Sequence, residues 1–416
     1  MIDKVKNLIY KLLMKSQKYA GTDVIYLAKF GSYLTMGNFI SLIASFLLSI
    51  ALARLLPKEV YGDYRYILSI FELLAISSLQ GMNGAIVQGI ARGFDGVAKD
   101  GLKTKLRWGL LGSFASIIIG AYFWLKGNTD FTISFLIVAA FLPLIKSSEI
   151  YQSLLDGKKL FNKRVKYSII IQIFYTLIFL LVLFITKNLI IIILAYFFSI
   201  TLIRTYFLVR SFKKFLKNNS SDPEIIKYGK NVSFMGIIGL IAQQIDKVLL
   251  FHFVGPVKLA VYSFATLPID QLRGPLQSIQ EIALPKLTTR PTDEIKKNLP
   301  KKLLKASLLI ILAIIIYILI VPYVYKIFFP QYLDAIFYSQ LFSLDLLVFP
   351  ISMMMLALYA KMKTRELYRV NILNSVIEIV LMVVLAPFYG IIGVILARLI
   401  SHIFYFFLAR FSFRKM

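Results

Sequence analysis

Long apolar segments follow one another along almost the whole chain, separated only by short polar stretches. A helix needs roughly 20 residues to cross the hydrocarbon core of a bilayer, and each segment is about that long or longer. The mean hydropathy of +0.75 is that of a membrane protein rather than of a soluble domain of this length. The sequence therefore predicts an all-α polytopic membrane protein with twelve transmembrane helices. We place them at 30–53, 64–88, 106–125, 131–155, 166–186, 188–209, 229–254, 258–285, 303–325, 332–360, 367–386 and 390–409.

The composition excludes several kinds of chemistry. The chain has no cysteine and only two histidines, so it can form no disulfide or thiolate metal site, and a histidine-based metal or catalytic site is nearly excluded. We therefore predict no metal and no cofactor. A formal charge of +27 could indicate binding of nucleic acid, but the basic residues lie in short segments between the apolar ones. That arrangement indicates orientation in a membrane and no binding of nucleic acid.

Lys and Arg are distributed unevenly between alternate polar segments. The set that includes both termini holds 36 of them, the opposite set holds seven, Arg65 among them, and five lie inside predicted helices. Because positive residues concentrate on the cytoplasmic side, we predict a protein of the cytoplasmic (inner) cell membrane with both termini in the cytoplasm. Residues 1–27 form a basic segment whose pattern fits both a helix lying on anionic membrane lipid and a solvated tail.

The chain repeats itself at an offset of 198 residues. At that offset Tyr64 aligns with Tyr262 and Glu72 aligns with Asp270, without a gap. Six predicted helices separate the copies, so the two copies have the same orientation and a binding site is expected between them. We predict an N-terminal lobe, a linker and a C-terminal lobe at residues 28–212, 213–227 and 228–416.

Charged residues near the middle of predicted helices are the candidates for a functional site. An ionised side chain at the bilayer centre costs roughly 2.5–3.5 kcal/mol even on insertion scales. The apolar hairpin at 228–287 carries four of them, Asp246, Lys247, Asp270 and Arg273. These side chains should face one another, another helix or a water-filled cavity rather than lipid.

Five of the charges inside other predicted helices are further candidates: Glu72, Lys146, Asp345, Glu378 and Arg398. Two interpretations are open for both groups of charges. The cations could bind an anionic substrate, or they could neutralise neighbouring acids. The acids could bind a coupling ion, or they could pair across helices with the cations.

Two stretches resemble parts of a known family. Residues 53–64 read ARLLPKEVYGDY and residues 245–250 read IDKVLL, followed by VGP at 254–256 and AVYSFA at 260–265. They resemble the matching stretches of Wzx-type polysaccharide flippases of the multidrug/oligosaccharidyl-lipid/polysaccharide exporter superfamily. The resemblance implies two six-helix lobes around a central cationic cavity. It also implies transport of a polyprenyl-diphosphate-linked oligosaccharide from the cytoplasmic to the outer leaflet, coupled to a proton or sodium gradient.

The resemblance also implies roles for the interior charges. The candidates for binding the substrate diphosphate are Arg273, Lys247, Lys146 and Arg398. The candidates for binding the coupling ion are Asp270, Glu72, Asp246, Asp345 and Glu378. Polysaccharide polymerase and export proteins are the candidate protein partners.

Other functions fit parts of the pattern. A drug antiporter of the same superfamily would need an acidic or apolar pocket for cations, whereas the interior basic residues favour an anionic substrate. A peptidoglycan-precursor flippase usually has more than twelve membrane spans. A membrane glycosyltransferase, polymerase or ligase would need acidic motifs and a large external loop, and the predicted external segments are short. The sequence therefore favours a transporter over an enzyme.

Overall fold

The computed structural model describes the backbone of residues 24–416 and the side chains from residue 40 onward, apart from those at 275, 277, 278, 281, 282 and 285. Within this part the chain is helical and contains no strand. Residues 1–23 of the predicted basic segment at 1–27 therefore lie outside the described residues. Apolar side chains on the outside of the bundle, such as Ile185 and Phe388, are 82% and 80% exposed, which suits a surface that faces lipid.

The helices are named here in chain order. They are α1 (Val24–Leu55), α2 (Lys58–Leu74), α3 (Met82–Ala91), α4 (Val97–Leu125), α5 (Thr129–Ser148), α6 (Ile150–Gly157), α7 (Phe161–Ile185), α8 (Leu189–Phe215), α9 (Pro223–Met235), α10 (Ile237–Ala242), α11 (Ile245–Thr289), α12 (Thr292–Phe328), α13 (Ala335–Phe342), α14 (Val348–Ala360) and α15 (Thr364–Arg414). Short 3-10 turns lie at Ala75–Ser78, Pro330–Tyr332 and Ser343–Leu347.

The prediction of an all-α polytopic membrane protein is confirmed. In the described part of the chain, eight helical stretches are long and apolar enough to cross a membrane. The number is nine if the bent pair Lys58–Ser78 and Met82–Ala91 forms one crossing. The count of twelve spans stays a prediction.

Two of the long helices are broken at a glycine. In α11 the break is at Gly255, with a φ of 83°, and in α15 it is at Gly390, with a φ of 54°. Residues other than glycine rarely adopt a backbone conformation with φ in this positive range. In α11, Tyr262 donates a hydrogen bond to Asp246 at 2.7 Å. Residues 16 positions apart in a straight helix would be about 24 Å apart, so α11 folds back on itself as a hairpin.

The two halves of the sequence meet along α2 and α11. The backbones approach so closely at Gly62 that an added Cβ would lie 2.0 Å from the carbonyl oxygen of Pro256. The Tyr61 ring packs on Phe264 with centroids 4.7 Å apart, and Phe264 packs on Tyr332 at 4.0 Å. These contacts hold the two halves together at one end of the space between them.

The segment before α9 is fixed to the loop between α3 and α4. The buried carboxylate of Asp95 accepts a hydrogen bond from the backbone N–H of Lys217 at 2.7 Å and forms an ion pair with Lys158 at 2.5 Å. Further along, Gly229 of α9 lies against Met82 of α3, because a Cβ at residue 229 would be 2.5 Å from the Met82 sulfur. The start of the predicted C-terminal lobe therefore packs on a helix of the predicted N-terminal lobe.

Candidate functional site

A polar cavity of about 590 Å³ lies between α2, α8, α11 and α15. Eight of the nine predicted site residues line it: Glu72, Asp246, Lys247, Asp270, Arg273, Asp345, Glu378 and Arg398. The ninth, Lys146 of α5, lies behind the wall, where its Nζ donates to both Glu72 carboxylate oxygens at 3.0 and 2.9 Å. Residues far apart in sequence thus meet in one place.

Asp345 is the centre of one ion-pair network. Arg273 forms ion pairs with Asp270, one helical turn away at 2.9 Å, and with Asp345, in the turn before α14. The His402 Nε2 lies 2.8 Å from the other Asp345 oxygen. The Asp345 side chain is only 2% exposed, so these partners compensate its burial.

Asp246 is the centre of a second network. Its carboxylate accepts from the Tyr262 hydroxyl at 2.7 Å and forms ion pairs with Lys247 at 3.2 Å and Arg398 at 3.5 Å. Arg398 also bonds Glu378 at 3.2 Å, across the Gly390 break of α15. The break lets the two arms of α15 present an acid and a base to each other.

These networks bear on whether the interior acids pair with the interior cations. Glu72, Asp345 and Glu378 have no basic neighbour on their own helical stretch, yet each has a basic partner on another element or arm. Pairing across helices is therefore observed for all three. Transport roles for these residues are a separate question and stay predictions.

Arg65 of α2 is a cavity residue that the sequence analysis missed. Its position near the start of a predicted helix placed it among the external-side residues, but its side chain lines the cavity. Its Nε donates to the Ser263 hydroxyl at 3.3 Å, and no carboxylate of the described residues lies within 4 Å of its guanidinium. Two signals could have identified it. Arg65 lies two helical turns before Glu72, on the same face, and Ser263 is its partner at the repeat offset of 198.

The cavity is not cationic in formal charge, in contrast to what the family resemblance implies. Four cations line it, Arg65 and the three predicted ones, against five carboxylates. Access to the cavity differs among them. The side chains of Asp270, Arg273 and Glu72 are 47%, 37% and 35% exposed, and those of Asp246 and Asp345 are 2% exposed. An incoming molecule would meet Asp270, Arg273 and Glu72 before Asp246 and Asp345.

No group of three His, Asp or Glu that could hold a metal ion occurs in the part of the chain that the structure describes. The cavity is lined by charged and hydrogen-bonding side chains, and such a site can bind an ionic group.

Sequence comparison gives the family. Residues 27–279, more than half of the chain, match the family model of polysaccharide biosynthesis proteins. The chain belongs to the polysaccharide biosynthesis protein family. The match covers α2, the hairpin of α11 and most of the cavity wall that they form, and it confirms the resemblance read from the sequence. No curated protein matches this family member in sequence.

Solved structures give the fold. The family member is similar to the inward-facing conformation of a multidrug resistance MATE family transporter of the MOP superfamily, with a TM-score of 0.69, 14% identity and coverage of 92% of this chain and 98% of that one. It is also similar to a MOP superfamily transporter from Pyrococcus furiosus, with a TM-score of 0.68 and 14% identity. That match covers 93% of this chain and 96% of the transporter. A third similar structure is the lipid II flippase MurJ in an inward closed conformation, with a TM-score of 0.67 and 15% identity. That match covers 91% of this chain and 87% of MurJ. At these identities the likeness shows the fold, which is that of membrane transporters.

Proposed function

We propose that the protein moves a polyprenyl-diphosphate-linked oligosaccharide from the cytoplasmic to the outer leaflet by alternating access, driven by a proton or sodium gradient. The observation that carries this proposal is the guanidinium of Arg65, which lines a cavity between the two halves and has no carboxylate of the described residues within 4 Å. In a protein of the polysaccharide biosynthesis family, an anionic group on a glycan-carrying lipid is the substrate that such a cation fits.

Arg65 and Arg273 are the proposed contacts of the diphosphate. Arginine stays ionised and offers a planar fork that binds phosphate oxygens in pairs. Arg65 has this fork available, and Arg273 is the more exposed of the predicted cations, shared between Asp270 and Asp345. A diphosphate would compete with the exposed Asp270 for Arg273, while the buried Asp345 keeps its hold on the same side chain.

Coupling follows from the displaced carboxylate. Once the diphosphate engages Arg273, Asp270 has lost its nearest counter-charge in a cavity of low dielectric. Asp270 is therefore the proposed site for the coupling proton or sodium ion. Glu72 occupies the matching repeat position and is also exposed to the cavity. Asp246, Asp345 and Glu378 serve mainly to hold Lys247, Arg273 and Arg398 in place.

Closure of one end supports alternating access. The contact of Gly62 with Pro256 and the packed rings of Tyr61 and Phe264 lie toward the end that the Lys and Arg distribution assigns to the outside. Arg54 adds a hydrogen bond to the carbonyl oxygen of Ile327 at 2.6 Å. Together these contacts favour a state in which substrate enters from the cytoplasmic side.

The second candidate is export of an organic cation in exchange for protons or sodium. It is favoured by the five carboxylates that line the cavity against four cations. Asp270 and Glu72 would then bind the transported cation, and Arg65 would only stabilise the bundle.

The test compares Arg65→Gln, Arg65→Lys and the control Lys126→Gln, which removes an exposed charge outside the cavity. We expect Arg65→Gln to lose at least about tenfold in affinity for purified polyprenyl diphosphate and to stop glycan export, because a charge-assisted hydrogen bond is worth about 1.5–3 kcal/mol. Arg65→Lys should lose less. Normal binding and export by Arg65→Gln, together with efflux of a cationic dye by the parent protein, would favour the cation exporter.

A further inference from the structure

A second charged cavity lies apart from the central one, between α7 and α8. This α7–α8 groove has a volume of about 590 Å³ and shares no lining residue with the central cavity. Five of its lining residues are cations: Lys159, Lys163, Lys166, Arg210 and Lys214. No Asp or Glu is among the residues that line it, all of which belong to the described chain.

The cations of the groove are not neutralised in the way those of the central cavity are. Arg210 donates to the uncharged hydroxyl of Tyr206 at 2.8 Å, and Lys214 lies over the ring of Phe215. Within the described residues no carboxylate lies within 4 Å of Lys163 or Lys166. Like charges held together repel, so the groove gains from binding an anion.

The floor of the groove is apolar on the side toward the middle of the two helices. Ile170 lies one turn beyond Lys166 on α7, and Phe207 lies three residues before Arg210 on α8. Ile203 extends this surface along α8. From the helix ends inward, the groove therefore changes from basic to apolar, as a phospholipid changes from phosphate to acyl chain.

We infer that the α7–α8 groove binds an anionic phospholipid. Its phosphate would lie among Lys163, Lys166 and Arg210, and the first carbons of an acyl chain would lie on Ile170 and Phe207. Basic pockets between transmembrane helices are suited to such head groups. The lipid is a resident one from the leaflet at these helix ends, separate from the transported substrate.

The charge of the groove favours an anionic occupant over a basic peptide segment, which would carry the same sign as the groove. A phospholipid supplies both the opposite charge and the apolar tail that the two ends of the groove require.

Fluorescence quenching by brominated lipid tests the site without any need for transport. The chain has two tryptophans, Trp108 and Trp124, which would be changed to Phe before Ile170→Trp is introduced as the reporter. In vesicles of phosphatidylcholine, we expect brominated phosphatidylglycerol to quench this reporter more strongly than brominated phosphatidylcholine. A control reporter, Phe184→Trp, lies exposed at the other end of α7 and should show no preference.

Two charge variants decide the result. The triple change Lys163→Gln, Lys166→Gln and Arg210→Gln should reduce the preference of the site for phosphatidylglycerol over phosphatidylcholine at least about tenfold. A control triple change of Lys301, Lys302 and Lys305 to Gln removes the same charge from exposed positions outside the groove and should leave the preference intact. Quenching by brominated phosphatidylcholine in every variant reports normal insertion.

Three outcomes would overturn the inference. The first is equal quenching of the Ile170→Trp reporter by both brominated lipids. The second is an unchanged preference in the groove triple variant. The third is relief of quenching by unlabelled polyprenyl diphosphate at concentrations where unlabelled phosphatidylglycerol has no effect, since the groove would then belong to the transported lipid.

Discussion

Glu72 and Asp270 are the acids of the central cavity that should change charge during transport. They occupy matching repeat positions, both are exposed to the cavity, and each pairs with a basic residue, Lys146 or Arg273. We predict that Glu72→Gln, Asp270→Asn and above all the double variant lose the dependence of transport on the ion gradient. The measurement is uptake into vesicles with an imposed proton or sodium gradient. Glu294→Gln, outside the cavity, is the control, and unchanged gradient dependence in all three variants would contradict the prediction.

Asp95, in the loop between α3 and α4, should contribute to stability in a pH-dependent way. Burial alone would raise the pKa of Asp95, but the ion pair with Lys158 and the N–H of Lys217 outweigh it and hold the pKa below its ordinary value. The contribution is therefore complete above the unfolded-state pKa of about 3.9 and is lost as pH falls through the lower folded-state pKa. We predict that Asp95→Asn destabilises the protein by about 1–3 kcal/mol at pH 7.

Thermal unfolding in detergent measures this effect. The difference in Tm between Asp95→Asn and the parent should be largest near neutral pH and shrink in strong acid. Asp100→Asn serves as the control, because Asp100 is less buried and bonds the Ser221 hydroxyl. A difference in Tm that is constant down to strongly acidic pH would contradict the prediction.

Single residues of the cavity could be predicted because intramembrane charges are rare and must be satisfied. Their partners could not. Arg273 and Asp345 are 72 positions apart, and Lys146 and Glu72 are 74 apart, so only the packing of helices brings them together. Arg65 was assigned to the wrong environment because a cation near a helix end fits the membrane interface equally well in sequence.

At the scale of elements, the contact of Gly62 in α2 with Pro256 in α11 should control opening of the cavity to the outside. A side chain at Gly62 has no room beside Pro256 in the observed state. We predict that Gly62→Val disfavours this closed end, abolishes transport and raises the reactivity of a Gln243→Cys reporter in the cavity toward an external maleimide. Gly84→Val is the matched control, since an added Cβ there meets nothing within 4 Å. Unchanged transport and labelling in Gly62→Val would show that the contact does not act as a gate.

The helices and their breaks were predictable to different degrees. The Gly255-Pro256 turn in the α11 hairpin was visible because Gly supplies the left-handed backbone and Pro cannot continue a helix. The packing of α9 on α3 was not visible. In a membrane helix the face toward lipid is as apolar as the face toward protein, so periodicity does not reveal the partner of a helix.

At the scale of the whole molecule, the predicted internal repeat offers a reason why eight of the nine candidate charges line one cavity. Matching elements of the two copies, α2 and α11, lie against each other, as the bond between Arg65 and Ser263 at the repeat offset illustrates. Charges at equivalent positions therefore project into the same space. The repeat itself stays a prediction from the sequence. The balance of charge in the cavity could not, because it depends on which side chains of several helices line the space.

The orientation of the molecule determines the direction of every proposed step, and the cysteine-free chain allows a clean test. Lys126 and Lys301 are both exposed, at the end of α4 and near the start of α12. The 36 to seven distribution of Lys and Arg predicts that the start of α12 lies in the cytoplasm and the end of α4 outside. Lys126→Cys should therefore react with a membrane-impermeant maleimide in intact cells. Lys301→Cys should react only after the cells are permeabilised. Ile117→Cys, which lies in the lipid-facing middle of α4, should react neither before nor after permeabilisation. The reverse labelling would place the contact of Gly62 and Pro256 at the cytoplasmic end, so the described state would open outward and Arg65 would receive its anion from the outer side.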